Sequence, residues 1–133
     1  MEILEKLKQL SDNLILLETI KEELNGHLPT KRTEWEVRYG LFESIQIIID
    51  VACKVTSHYN LAHPKSYAEC IGALANKEYI DAIIADKTIR MIGLRNLLVH
   101  EYAVIDNLKL IDFLEYLEDF REFARQIQKS VME

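Results

Sequence analysis

Glycine and proline are scarce in this sequence, with four and two occurrences in 133 residues. Their scarcity argues against a turn-rich all-β fold and favours long, uninterrupted helices. Long apolar runs are also missing, so we expect no membrane span. The charged, amphipathic start of the chain lacks the pattern of a signal peptide. Together with the length, these absences predict a single all-α domain over residues 1–133, located in the cytoplasm.

Basic charge is in short supply as well. The 16 Lys and Arg residues are outnumbered by 22 Asp and Glu, which gives a formal net charge of −6. Nucleic-acid-binding proteins usually carry a basic face, so any contact with RNA has to be local. The four histidines show no ligand spacing such as HExxH, and we therefore expect no metal and no cofactor.

The sequence has only two cysteines, Cys53 and Cys70, which lie far apart and form no CxxC motif. In the absence of a disulfide pattern, cysteines in a reducing compartment usually pack as small hydrophobic residues. We therefore expect two free thiols.

Helical periodicity dominates the rest of the chain. Thr33 with Glu36, and Ser66 with Glu69, have the spacing of a capping box, which predicts that helices start there. The predicted helices span residues 1–25, 33–58, 66–76 and about 80–102, and the last begins near residue 106 or 107. Short connections favour antiparallel neighbours, so the expected fold is an up-down bundle of four main helices plus one short helix.

The second predicted helix has an unusual middle, because residues 45–52 are apolar nearly all round. Such a helix is buried on more than one side, which places it at the centre of the bundle or in a subunit interface. Trp35, near its start, is expected to anchor that end over the core.

One stretch near the end of the fourth predicted helix combines ionisable groups that chemistry can use. At about 100° per residue, Arg95 and His100 do not share a helix face. Asn96 does share a face with His100 and could hydrogen-bond the imidazole, and Gly93 on the same stripe would let another backbone approach closely. Arg95 shares its own face with Tyr102. The two faces can converge if the helix ends near His100, or if two copies of the helix meet across a twofold axis.

These residue types suit RNA cleavage, since RNA carries its own nucleophile, the 2′-hydroxyl. A histidine can act as general acid or base, and a guanidinium can stabilise the pentavalent phosphorane. No metal is required for that chemistry. The alternative is that Arg95 and His100 are a solvated cation and a partner of the helix dipole.

The pattern Arg95-Asn96-x-x-x-His100-x-Tyr102 resembles the signature of the HEPN ribonuclease superfamily and, more narrowly, of the HepT toxin family. Residues 49–52, 92–94 and 117–120 also fit that family. The resemblance implies that Arg95 and His100 are the catalytic pair and that Asn96 orients them. It also implies a homodimer whose motif lines the cleft between subunits. Tyr102 would receive AMP units from a nucleotidyltransferase antitoxin similar to MntA.

Asp50 is the remaining candidate, because a carboxylate in an apolar run needs a partner. Either it pairs with Arg95 or His100 and tunes that residue, or it binds a structural partner elsewhere in the bundle. Gln46 shares its helix face, at a position where members of the resembled family can carry an acidic residue. This difference puts in doubt any role that needs a second charge there.

Two functions are therefore predicted. The first is the toxin of a type VII toxin–antitoxin system, a metal-independent endoribonuclease acting on cellular RNA. The second is a non-catalytic subunit of a nucleotidyltransferase complex, in which Arg95 and His100 hold the phosphate of a nucleotide or substrate.

Overall fold

The computed structural model describes residues 2–100 and 107–132, and that part of the chain is helical without a strand. Its helices are α1 (Ile3–Leu24), α2 (Lys31–His58), α3 (Tyr67–Asn76), α4 (Ala82–Val99), α5 (Asn107–Asp112) and α6 (Leu117–Met132). The all-α prediction is confirmed. The last predicted helix is divided, because a 3₁₀ segment (Phe113–Tyr116) separates α5 from α6.

The helix starts follow local capping chemistry. Ser66 caps α3 as predicted, since its Oγ accepts a hydrogen bond from the Glu69 amide at 3.2 Å. The prediction for α2 was wrong by one short turn. Thr30, rather than Thr33, adopts the extended cap conformation, and its Oγ1 accepts a hydrogen bond from the Thr33 amide at 3.2 Å. Both threonines have suitable side chains, and the one preceding two good helix formers becomes the cap.

The core lies around α2, which contacts α1, α3, α4 and α6. The middle of α2 is buried within the single chain except at the half-buried Gln46 and Asp50, which favours the bundle-centre alternative over the subunit interface. Its buried hydrophobic residues there are Ile45, Ile47, Ile48, Ile49, Val51 and Ala52. One apolar stripe on α1 is buried as well, and it consists of Ile3, Leu7, Leu10, Leu14 and Leu17. No helix in the described part of the chain is long and apolar enough to cross a membrane.

Gly40 allows α1 and α2 to approach closely. A Cβ placed on Gly40 would lie 2.8 Å from Cδ2 of Leu17, closer than such atoms normally come. The absence of a side chain therefore sets the separation of the first two helices at this point.

The predicted position of Trp35 was wrong. Its side chain is 62% exposed, whereas Val37 and Leu41 take the core-facing positions at this end of α2. Trp35 and Tyr39 instead share the outer face, where the Lys31 ammonium lies 5.9 Å from the indole ring. The apolar periodicity of α2 therefore continues to its first turn, and Trp35 is not part of it.

The prediction of two free thiols was also wrong. Cys53 on α2 and Cys70 on α3 are joined by a disulfide, with their Cα atoms 5.2 Å apart. The two residues are 17 positions apart in sequence, and the turn between α2 and α3 folds them together. Spacing could not reveal this proximity, because it depends on how α3 packs on α2.

We expect reduction of the bridge to lower the melting temperature on the order of 10 °C, since a crosslink of this loop length restricts the unfolded chain. The measurement is thermal unfolding with and without dithiothreitol, with thiol titration to establish the redox state. A Cys53→Ser variant should melt at the same temperature in both buffers. An unchanged melting temperature for the fully reduced wild-type protein would contradict the expectation.

Candidate functional site

Helix α4 carries most of the candidate residues. It is capped by Asp81, whose Oδ1 accepts a hydrogen bond from the Ile84 amide at 2.8 Å. The buried face of α4 includes Met91 and Leu94, and it seats the helix against α2 and α3. That packing turns Arg95, which is half-buried, towards those two helices.

Arg95 has four contacts with described residues. Its Nε donates to Oε1 of Gln46 at 3.1 Å, and its Nη1 donates to Oδ1 of Asn96 at 3.2 Å. Its Cζ lies 5.4 Å from the ring centroid of Tyr67 and 5.9 Å from that of Phe42. Two amide oxygens and two aromatic rings thus surround the guanidinium. We call these four side chains the Arg95 cradle.

The partners of Asp50 are Lys6, whose Nζ lies 3.6 Å from Oδ2, and Gln46, whose Nε2 donates to Oδ1 at 3.1 Å. The expected direct pair of Asp50 with Arg95 or His100 is therefore not formed among the described residues. Asp50 instead reaches Arg95 through the Gln46 amide, which donates to one and accepts from the other. The carboxylate has its own counter-ion on α1.

Asn96 and His100 are both exposed. The expected hydrogen bond from the Asn96 side chain to the imidazole is replaced by another, because its Oδ1 accepts from Arg95. His100 instead contacts Asn96 through the backbone, with its amide donating to the Asn96 carbonyl at 3.0 Å. His100 is the C-terminal cap of α4, so the helix ends three residues earlier than predicted.

This early end to α4 is one of the two ways in which the faces of Arg95 and His100 can converge. The second way, a twofold axis, would use the open surface at Gly93. Apart from the neighbouring residues of α4 itself, no described residue has an atom within 4 Å of a Cβ placed there, so this part of the chain does not make the predicted close approach. Tyr102 lies outside the described residues.

A shallow groove borders the cradle. It is lined by Trp35, Arg38, Tyr39, Phe42 and Leu98. In it, the Tyr39 phenol donates to Oε2 of Glu43 at 2.9 Å. This hydrogen bond to the carboxylate raises the pKa of Tyr39 above its ordinary value.

Sequence reasoning missed the roles of Phe42 and Tyr67. Phe42, Gln46 and Asp50 recur every four residues on α2, a spacing that places them on one face. That spacing was a usable signal for Phe42. No comparable signal existed for Tyr67, because it comes from a different helix.

Within the described part of the chain, the arrangement holds a cation without neutralising it. None of the ion pairs among the described residues includes Arg95. Its planar fork suits the oxygens of a phosphate, and an exposed imidazole, that of His100, follows five residues further along the chain. Residues 2–100 and 107–132 contain no cluster of three or more His, Cys, Asp and Glu side chains able to hold a metal ion.

Comparison with solved structures identifies the fold. The chain superimposes on the tri-AMPylated HEPN toxin of Shewanella oneidensis in complex with its MNT antitoxin, with a TM-score of 0.88, 22% identity and 96% of each chain covered. A mutant of the MntA toxin–antitoxin complex gives a TM-score of 0.88 at 21% identity, covering 97% of this chain and 99% of that one.

Sequence comparison adds a curated relative, the mRNA nuclease HepT of Shewanella oneidensis, which is 32% identical over 82 residues. The match covers 60% of this chain, and it spans about three fifths (61%) of the relative's length. A family model described as ribonuclease HepT-like matches residues 2–127, nearly the whole chain. The chain belongs to the ribonuclease HepT-like family.

Proposed function

We propose that this protein is the toxin of a toxin–antitoxin pair and acts as a metal-independent endoribonuclease on cellular RNA in the cytoplasm. The observation that carries the proposal is the Arg95 guanidinium, which neutral groups hold on the helix that ends at the exposed His100. Family membership and the relative named as an mRNA nuclease support the same activity.

The reaction uses the nucleophile that RNA already contains. The 2′-oxygen attacks the adjacent phosphorus, a bond forms between them, and the bond to the 5′-oxygen breaks. His100 acts as general acid or base, accepting the 2′-hydroxyl proton or protonating the departing 5′-oxygen. Arg95 stabilises the extra negative charge on the phosphorane, and Asn96 orients the guanidinium. The products are a 2′,3′-cyclic phosphate and a 5′-hydroxyl.

Regulation by AMP transfer follows the same logic. The related Shewanella toxin is tri-AMPylated in its complex with an MNT antitoxin. For this chain we place the modification on Tyr102, two residues beyond His100, with an MntA-like nucleotidyltransferase as the cognate antitoxin. The added phosphodiester would bring negative charge to the region where Arg95 receives the substrate phosphate.

A homodimer is part of the proposal. Arg95 and His100 lie on different faces at the end of α4, and a second copy of that end would bring Arg95 of one subunit towards His100 of the other. The open surface at Gly93 supports such an approach.

A second candidate function is a non-catalytic subunit that binds a nucleotide or RNA through Arg95 and His100. One observation favours it. The Asn96 side chain accepts a hydrogen bond from Arg95, and the contact between Asn96 and His100 is made by their backbones. No side-chain hydrogen bond from Asn96 therefore fixes the imidazole.

The experiment incubates the purified protein with labelled RNA in the presence of EDTA, and with the same RNA carrying 2′-deoxy sugars. The ribonuclease function predicts fragments ending in a cyclic phosphate from RNA only. The binding function predicts a mobility shift with both oligonucleotides and no fragments from either. Cleavage that EDTA abolishes would contradict the proposed mechanism.

A further inference from the structure

The Arg95 cradle consists of neutral groups taken from three elements. Phe42 and Gln46 come from α2, Tyr67 is the first residue of α3, and Asn96 adjoins Arg95 on α4. The nearest carboxylate in this chain of contacts is Asp50, which lies behind Gln46 and is paired with Lys6.

Neutral partners matter because the guanidinium has to bind a phosphate. A carboxylate in contact with Arg95 would fix its position, but it would also compete with the phosphate for the same positive charge. Each amide oxygen accepts from one N–H of the guanidinium and leaves the net charge of the guanidinium unchanged. Aromatic faces attract the cation through the ring quadrupole and occupy none of its N–H donors.

A long side chain also needs confinement. An arginine loses rotamer entropy when it is fixed, and an arginine held only by amide oxygens can swing about those bonds. The rings of Tyr67 and Phe42, at 5.4 and 5.9 Å from Cζ, restrict that movement. Phe42 is half-buried in the groove, whereas Tyr67 is 41% exposed and belongs to a different helix.

We propose that Tyr67 and Phe42 are positioning residues for RNA cleavage, which hold the Arg95 guanidinium in place while leaving its charge available to the scissile phosphate. This inference rests on the proposed ribonuclease function. It assigns Tyr67 and Phe42 an effect on the chemical step and Gln46 an effect on phosphate binding.

The first experiment compares Tyr67→Leu and Phe42→Leu with Tyr67→Phe, which retains the ring. The two leucine variants should lower kcat by roughly tenfold to a hundredfold with little change in KM, because misplacement of a catalytic group weakens transition-state contacts. Tyr67→Phe should retain the wild-type kcat, because it keeps the aromatic ring. Tyr116→Leu, which removes a similarly exposed aromatic ring that is not part of the Arg95 cradle, is the control and should leave kcat unchanged.

The second experiment replaces Gln46 with glutamate and measures binding of a non-cleavable 2′-deoxy oligonucleotide as a function of salt. The new carboxylate should neutralise Arg95, weaken binding and reduce the slope of log K against log salt by about one. Gln46→Leu, which removes the hydrogen bond without adding charge, should leave that slope unchanged.

Two results would overturn the proposal: a wild-type kcat in both leucine variants, or loss of activity in Tyr67→Phe equal to that in Tyr67→Leu. Thermal melting of each variant separates loss of fold from loss of position. If the wild-type protein binds RNA without cleaving it, the ribonuclease function fails. The binding experiment then decides whether the neutral cradle leaves the charge of Arg95 available to a phosphate. An unchanged salt slope in Gln46→Glu would refute that part of the proposal as well.

Discussion

Replacement of Arg95 with alanine is expected to reduce kcat for RNA cleavage on the order of a hundredfold to a thousandfold, the usual loss when a donor to transition-state charge is removed. The protein should remain folded, because Arg95 is only half-buried and none of the ion pairs among the described residues includes it. Single-turnover cleavage of a short RNA and a thermal melt measure the two quantities separately.

A lysine at position 95 separates the effect of the positive charge from that of the guanidinium's shape. A lysine keeps the charge but lacks the planar fork that matches two phosphate oxygens, so Arg95→Lys should recover little of the lost rate. Arg90→Ala is a matched control, since Arg90 is an exposed arginine on the same helix, paired with Asp86. Equal rates for wild-type protein and Arg95→Ala, with contaminating nuclease excluded, would remove Arg95 from the mechanism.

The second large effect concerns His100. His100→Ala should reduce kcat on the order of a hundredfold to ten-thousandfold on ordinary RNA, because proton transfer to or from the reacting oxygens is lost. If His100 protonates the leaving group, the loss should be much smaller on RNA with a sulfur in place of the scissile 5′-oxygen. A thiolate departs without needing that proton. Parallel rate measurements on the two substrates test this.

The position of His100 makes a structural loss improbable as the cause. It is exposed and caps α4, so alanine should leave the core intact. His63→Ala, at another exposed histidine, should cleave both substrates at the wild-type rate. Cleavage of ordinary RNA by His100→Ala at the wild-type rate would exclude His100 as general acid or base.

The fold was largely predictable because its determinants are local. The three-and-four spacing of apolar residues on α1 corresponds to the residues that are buried, and Ser66 caps α3 through the contact that its spacing predicts. Where two local signals competed, as for Thr30 and Thr33, the capping-box spacing of Thr33 with Glu36 indicated the wrong residue. The family signature supplied Arg95 and His100, which helical periodicity alone does not mark.

The surroundings of Arg95 were not predictable, because they depend on how helices pack. Tyr67 is 28 positions before Arg95 and Gln46 is 49 before it, and no spacing rule connects them. The bridge between Cys53 and Cys70 was missed for the same reason. The counter-ion of Asp50 is another such case, since Lys6 lies on the first helix.

The spread of these contacts along the chain has a consequence during synthesis on the ribosome. Gln46, Tyr67 and Arg95 are translated in that order, and they meet only after α4 has emerged and packed. A nascent chain that stalls before α4 has no guanidinium to place in the cradle, and neither has a proteolytic fragment that ends there. Under the proposed ribonuclease function, copies that end before α4 cannot cleave RNA, and activity begins only near the end of translation.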